Sequence, residues 1–449
     1  MRTHNSRNAT LRKIVAVTLT AAMVGMPAAA WSQTAKEQEL EARIAELEKL
    51  VQQLAAEKKA APAPAAAPAA APAAKPIQAS TITPNAAPGT TFVVTGFVKA
   101  DAIWTNTSDG ELADSSIGRD FYVPSTIPIG NQAADEGTDL NAHIKQSRFN
   151  FGTDTVLEGG GKVSTRFEID FFGRADGDQR ISNGYDPVIR HAYVTWGNWL
   201  VGQTWSNFMD VATLPEAVDF IGPTDGTTFV RQPQVRYTTG GLSVSAENRE
   251  TTILPYDVAG VAGARIVSDD GYAPDLTARY AWKGDWGHVA LAGLLRELTH
   301  ETATIDDSTW AGSLSLSGKF NFGKDDIRWM ALYGNLGRYV GLNFATDAVL
   351  DANGNLDSLD GYAGFIAYRH MWTAKLRSTF TYSLQEYDNE SILGNSVANK
   401  SSSSWNVNLF YSPIPKLDIG AEYRQATAER ENGDDGDLDR LQLTTKYSF

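Results

Sequence analysis

The sequence predicts a sixteen-stranded antiparallel transmembrane β-barrel, preceded by a short coiled-coil helix and an Ala/Pro-rich linker. Three observations carry that expectation. Runs of strictly alternating apolar and polar residues recur from residue 91 to the C-terminus. The connections between them alternate between long and short. Beyond the N-terminal leader, no stretch reaches the roughly 18 apolar residues that a membrane-crossing helix needs. The stretch STRFEIDFF (Ser164–Phe172) poses the central question. Thr165, Phe167, Ile169 and Phe171 fall on one face and Arg166, Glu168 and Asp170 on the other, as the two-residue period of a strand requires. In a soluble sandwich the phenylalanines would enter a core; in a membrane barrel they face lipid and the charges line a lumen.

The N-terminal elements come first. Arg2, Arg7, Arg12 and Lys13 precede the apolar run Ile14–Met26, and PAAAWS (Pro27–Ser32) supplies small residues for cleavage, so residues 1–32 read as a signal peptide. The exported remainder contains no cysteine, which excludes disulfides and thiolate metal sites. The net charge of the full chain, −14, argues against nucleic-acid binding. Residues 36–59 place Leu40, Ile44, Leu47, Val51 and Leu54 at heptad spacing. The β-branched residues at a with leucines at d favour two strands, whereas Leu50 widens the seam and RIAELE (Arg43–Glu48) favours three. Residues 60–90 follow, with prolines at 62, 64, 68, 72 and 76, an extended spacer spanning about 3 Å per residue.

Residues 91–449 form the expected barrel. Strands are predicted near 92–104, 143–156, 162–173, 188–197, 198–205, 234–239, 241–250, 275–283, 286–297, 309–322, 326–337, 361–370, 374–387, 403–412, 416–428 and 438–449. The short connections (LEGGG, TTGG, KGDWG, NFGKDD, SPIPK) are turn-forming. The long ones include Asn106–Ala142, Ser206–Pro233 and Gly337–Asp360. Such segregation suits an up-and-down barrel with both termini on the short-turn side. Trp104, Trp196, Trp199, Trp282, Trp286, Trp329, Trp372 and Tyr411 sit near strand ends, where a barrel carries its aromatic girdles. The chain ends LQLTTKYSF, with Leu441, Leu443, Tyr447 and Phe449 on one face, like the C-terminal assembly signal of bacterial outer-membrane proteins. One run, Pro187–Trp196, has mixed faces and no assignable inward side.

With the apolar faces outward, the opposite faces give a lumen inventory. The inward bases are Lys99, Arg148, Arg166, Arg236, Arg249, Arg279, Arg296, Arg328, Arg369, Arg377, Arg424 and Arg440; the inward acids are Asp101, Asp154, Glu168, Asp170, Glu247 and Glu422. This wall is rich in bases although the protein is acidic overall, because the acidic surplus lies in loops such as Ala428–Arg440. Arginine-lined pores favour anions, and guanidinium grips carboxylates in bidentate fashion. The competing reading is that the arginines pair with wall and loop carboxylates to hold shape. Ser206–Pro233 is a candidate constriction loop, with Asp210, Glu216, Asp219, Asp225 and Arg231 opposing the arginine wall across the lumen; a loop exposed at the surface is the alternative. Asp351–Asp360 faintly resembles a calcium loop but misplaces its glycine and reads as a solvated turn. The six histidines show no metal-ligand spacing, and no nucleophile elbow, Walker loop or dinucleotide fingerprint is present, so neither a cofactor nor a catalytic activity is expected.

The run RHAYVTWGNWLVGQTWSNFMDVATLPEAVDFIGP (Arg190–Pro223), with QSRFNFGTD and STRFEIDFFG before it, resembles the DcaP-like porin family. The heptad, Ala/Pro linker and barrel follow one another in that family's order. The resemblance implies a homotrimer of barrels in the outer membrane of a Gram-negative bacterium, with coiled coils in the periplasm, passing small anionic solutes such as dicarboxylates. It also implies three helices in the coil. A general or sugar-selective porin is the nearest alternative, and an outer-membrane structural anchor a more distant one.

Overall fold

The computed structural model describes Lys49 and residues 89–130, 138–173 and 181–449. The signal peptide, the linker up to Pro88 and, apart from Lys49, the heptad lie outside the described residues.

The chain closes a sixteen-stranded antiparallel barrel. Its strands are β1 (Thr90–Thr107), β2 (Thr138–His143 continued by Arg148–Val156), β3 (Lys162–Asp170), β4 (Val188–Trp196), β5 (Trp199–Trp205), β6 (Arg231–Thr239), β7 (Leu242–Glu247) and β8 (Asp275–Gly284). They continue as β9 (Gly287–Glu301), β10 (Asp306–Phe322), β11 (Asp325–Gly334), β12 (Gly361–Met371), β13 (Leu376–Tyr387), β14 (Asn399–Tyr411), β15 (Leu417–Arg430) and β16 (Asp435–Ser448). Each pairs with its sequence neighbours, and β16 returns to β1 with Phe97 opposite Ser448 and Thr107 opposite Leu438. Phe449 completes the seam: its amide donates to the Gly96 carbonyl, and its ring lies 5.9 Å from that of Phe149. Closure leaves no unpaired edge, which a bilayer demands of any spanning sheet.

The alternation answers the question posed by STRFEIDFF. Phe167 is exposed on the outer surface, with Val98, Phe151, Leu314 and Leu316, while Asp170, Lys99 and Asp101 are buried inside. Trp196, Trp199, Trp282, Trp286 and Trp372 are exposed around the short-turn rim, at the depth of a headgroup belt.

Three local features depart from the sequence expectation. The long and short connections do not alternate strictly, because residues 302–305 and 431–434 are tight turns between strands longer than predicted. The second strand is broken: the Ser147 amide donates to the Ile144 carbonyl, which turns Lys145 inward to Asp120 at 2.7 Å. The ambiguous run Pro187–Trp196 contains a β-bulge. Glu168 is opposite His191 and Ile169 is opposite Ile189, so Arg190 is an extra residue. A bulge resets the two-residue period at that point, and this is why its faces read as mixed.

On the long-loop side, residues 248–274 and 335–360 are tied together by a four-stranded sheet of Ile266–Ser268, Thr251–Pro255, Ala348–Leu350 and Leu356–Ser358. Ala348–Leu350 runs parallel to Ile253–Pro255, and the sheet covers a small apolar core that includes Ile253, Leu298, Ala348 and Leu356.

Candidate functional site

The barrel interior is built from inward side chains and two loops. Residues 206–230 leave β5, run inside the barrel and return to β6. The loop reaches the far wall: Asp225 accepts from Ser383 on β13 and from Ser402 and Ser404 on β14. Gly226 makes that approach possible, since a Cβ there would stand 2.0 Å from the Gly364 carbonyl of β12. Residues 121–127 of the first loop pack on it, with the Tyr122 hydroxyl donating to Asp225 at 2.7 Å.

This placement corrects one expectation about charge. The loop's carboxylates do not face the arginines across an open gap; they are bonded. Asp210 lies 2.8 Å from His288 Nε2 and 3.9 Å from Arg279, and Glu216 binds Arg377 through both oxygens at 2.6 Å. Asp219 accepts the Tyr122, Ile221 and Gly222 amides. Arg231 is also relocated: it is the first residue of β6, with its guanidinium 5.1 Å above the Trp205 ring.

The remaining wall residues sort by how many carboxylates each base meets. In the β2–β4 corner, Arg190 bonds Glu168 at 2.9 Å and Asp170 at 2.6 Å, with Arg148 3.5 Å from Glu168. Arg166 pairs with Asp154 at 3.0 Å, Lys99 with Asp101 at 3.0 Å, and Arg424 with Glu422 at 3.4 Å. Arg236 bonds Gln234 and the Trp205 carbonyl, Arg440 bonds Thr105 and the Gly118 carbonyl, and Glu247 accepts the Asn207 amide. Arg249 lies just past the end of β7 rather than within it, 3.3 Å from Glu297.

Two clusters stand out. Below the loop sheet, Arg296 is held by Asp275 at 3.3 Å and Asp347 at 2.6 Å, and Arg338 adds a contact to Asp275 at 3.0 Å. Burial opposes ionisation of Asp347, but the Arg296 guanidinium outweighs it and holds the carboxyl below the usual range. Nearer the short-turn rim, three bases on adjacent strands converge on one acid. Asp326 lies 2.8 Å from Arg328, 2.5 Å from Arg369 and 3.7 Å from Lys319. Lys319 and Arg328 are direct cross-strand partners. Arg377 continues this row on β13, shared between Glu216 and Asp418.

The sequence inventory missed Arg190, Lys319, Asp275, Asp326 and His288. Arg190 was hidden by the bulge. Lys319 and Asp326 were visible from parity, because they alternate with the outward Leu316 and Ile327. On the loops, Asp351 builds a tight turn: it accepts the Asn355 and Asn353 amides at 2.8 Å, and these bonds hold its carboxyl at about 2.

A closed sixteen-stranded barrel with a polar, charge-lined interior and an inward loop defines an outer-membrane porin. More specifically, the chain belongs to the DcaP outer membrane protein family, whose family model matches residues 36–449. Among solved structures, the chain is similar to the outer membrane channel DcaP of Acinetobacter baumannii, at 25% identity and a TM-score of 0.65 over 80% of this chain and 98% of that one. An anion-selective porin from Comamonas acidovorans shares the fold at 11% identity and a TM-score of 0.50, covering 80% of this chain and 100% of that one. OmpF of Salmonella typhi does so at 12% identity and 0.50, covering 80% and 98%. No curated protein matches significantly. The protein is thus an outer-membrane β-barrel of a Gram-negative bacterium.

Proposed function

We propose that the barrel is a passive channel for small hydrophilic anions, dicarboxylates foremost, and that it works as a homotrimer. The observation that carries this reading is the convergence of Lys319, Arg328 and Arg369 on the single carboxylate Asp326. Three bases around one acid leave uncompensated positive charge on the wall, and side-chain exposures of 26% for Lys319 and Arg369 keep it within reach of solutes. Such charge concentrates anions and disfavours cations. Two neighbouring guanidiniums suit a solute with two carboxylates better than one with a single charge.

In this reading the loop 206–230 is the constriction, fixed by Asp210, Glu216, Asp219 and Asp225, and weak, multiple sites favour throughput over tight binding. Residues 1–32 are a cleaved signal, residues 36–59 a trimeric periplasmic coiled coil, and residues 60–90 the spacer joining it to the barrel. The heptad spacing and a family match that begins at residue 36 support this division.

Liposome swelling tests the solute class. Proteoliposomes should admit succinate several times faster than erythritol, a neutral polyol with the same number of carbons and oxygens that steric sieving alone would pass equally well. Equal rates, or faster erythritol, would make the protein a general porin instead.

A further inference from the structure

Four extracellular-side loops enclose a cavity of about 340 Å³ whose lining shares no residue with the charged clusters of the lumen. Its walls come from Ser125 in the first loop, Leu254–Arg265, Ala345–Leu359 and Asn389–Asn399. We propose that this cavity is a binding site for a small monocarboxylate with a short apolar body. The idea that such a site gathers solute ahead of the lumen rests on the channel reading above; the site itself does not.

Three features point to that ligand. Among the lining residues, Arg265 is the sole ionisable group. Its Nη1 and Nη2 donate to the Asn343 and Phe344 carbonyls at 2.7 and 2.5 Å, which fixes the guanidinium in place. A guanidinium carries five N–H donors, so donors remain for a carboxylate.

Thr346 lines the same cavity. It is 2% exposed, and its hydroxyl has no hydrogen-bond partner among the described residues. A buried hydroxyl left unmatched needs an explanation, and a ligand oxygen supplies one.

Beside Ser125, Asn389 and Asn399, one side of the lining is apolar, with Leu254, Ala262, Leu359, Val397 and Ala398. Leu254 and Ala398 belong to a buried cluster against which Ala262 packs. These walls give an aliphatic chain of a few carbons its place. The volume lies near the small end of the roughly 300–1,000 Å³ range of ligand pockets, which excludes bulky solutes.

The site is also preorganised. The loop sheet joins two of its walls, and Asn399 Nδ2 donates to the Phe344 carbonyl at 2.7 Å, tying in a third. Rigid loops lose little freedom when a solute arrives.

The test is isothermal titration of butyrate into the full-length detergent-solubilised protein, with Thr346→Val, Arg265→Gln and Arg328→Gln variants. Wild type should bind saturably. Arg265→Gln should weaken binding by roughly tenfold or more, the loss expected for a hydrogen bond to a charged group. Thr346→Val, which keeps the shape and touches no loop-holding contact, should weaken it by about fivefold. Arg328→Gln, in the lumen, should keep the saturable component that Thr346→Val weakens, whatever it does to anion binding at the wall.

No saturable binding, or unchanged affinity in Thr346→Val, overturns the proposal even if Arg265→Gln fails to fold. The same preparations go into planar bilayers. A conducting protein that ignores butyrate removes the loop site and leaves the channel; a non-conducting, folded protein that binds it removes the channel and leaves the site.

Discussion

The Arg296 cluster and the Asp326 cluster both belong to the inner wall, and the sequence treats their arginines alike, yet their charge balances differ. Arg296 has a side-chain exposure of 1% and lies between two buried carboxylates, Asp275 and Asp347. It anchors the loop sheet to β9. With Arg338 on Asp275 that cluster balances at two bases to two acids, whereas Asp326 has three bases to one acid, and the bases are partly accessible. In the proposed reading an inward arginine is a structural clamp or a solute contact according to the carboxylates around it, and counting arginines on strand faces cannot separate the two.

Substitutions on each side test this contrast. The largest effect belongs to the clamp. Arg296→Met leaves Asp347 without its buried counter-ion and Asp275 with Arg338 alone; it should cost about 3–5 kcal/mol, seen as an earlier midpoint in urea unfolding, with ion selectivity unchanged. A change in selectivity without a change in stability would dissolve the distinction.

The clamp also has a pH signature. Asp347 has a depressed carboxyl pKa in the folded state, so its contribution is present above the ordinary carboxylate pKa of about 3.9 and is lost as pH falls through the lower folded value. Asp347→Asn should be less stable than wild type at pH 7 and should lose less on acidification below pH ~4. Parallel acid profiles for the two proteins would argue against the Arg296–Asp347 pair.

Next comes the accessible cluster. Arg328→Gln with Arg369→Gln should lower the chloride-to-potassium permeability ratio by roughly threefold or more, an effect that shrinks in high salt. Asp326→Asn should move the ratio the other way, by about twofold, since it removes the one compensating charge. The smallest change is expected of Glu216→Gln, which frees the inward loop from Arg377 at a cost of about 1 kcal/mol and should increase current fluctuations without altering the mean conductance.

Much of the fold was legible because a barrel wall repeats one rule. Val98, Phe167 and Leu314 point outward while Lys99, Arg166 and Ser315 occupy the opposite face, and that period needs no knowledge of distant contacts. The candidate site was legible in part. Parity gave most of the inward bases, but a parity break at Arg190 concealed the residue that joins Glu168 to Asp170. The loop's inward course was readable only as one of two alternatives, because it depends on contacts such as Asp225 with Ser402, far apart in sequence. The loop sheet escaped notice for the same reason: its pieces are three to five residues long, and its parallel pair joins residues near 253 to residues near 348.

The most direct test is the reversal potential of the purified wild-type protein in a planar bilayer across a potassium chloride gradient. A potential on the chloride side, reduced in the Arg328→Gln, Arg369→Gln double variant, is the predicted result. A potential on the potassium side would mean that the acidic loops govern permeation, and would contradict the assignment of the Asp326 cluster as the anion-selecting part of the wall.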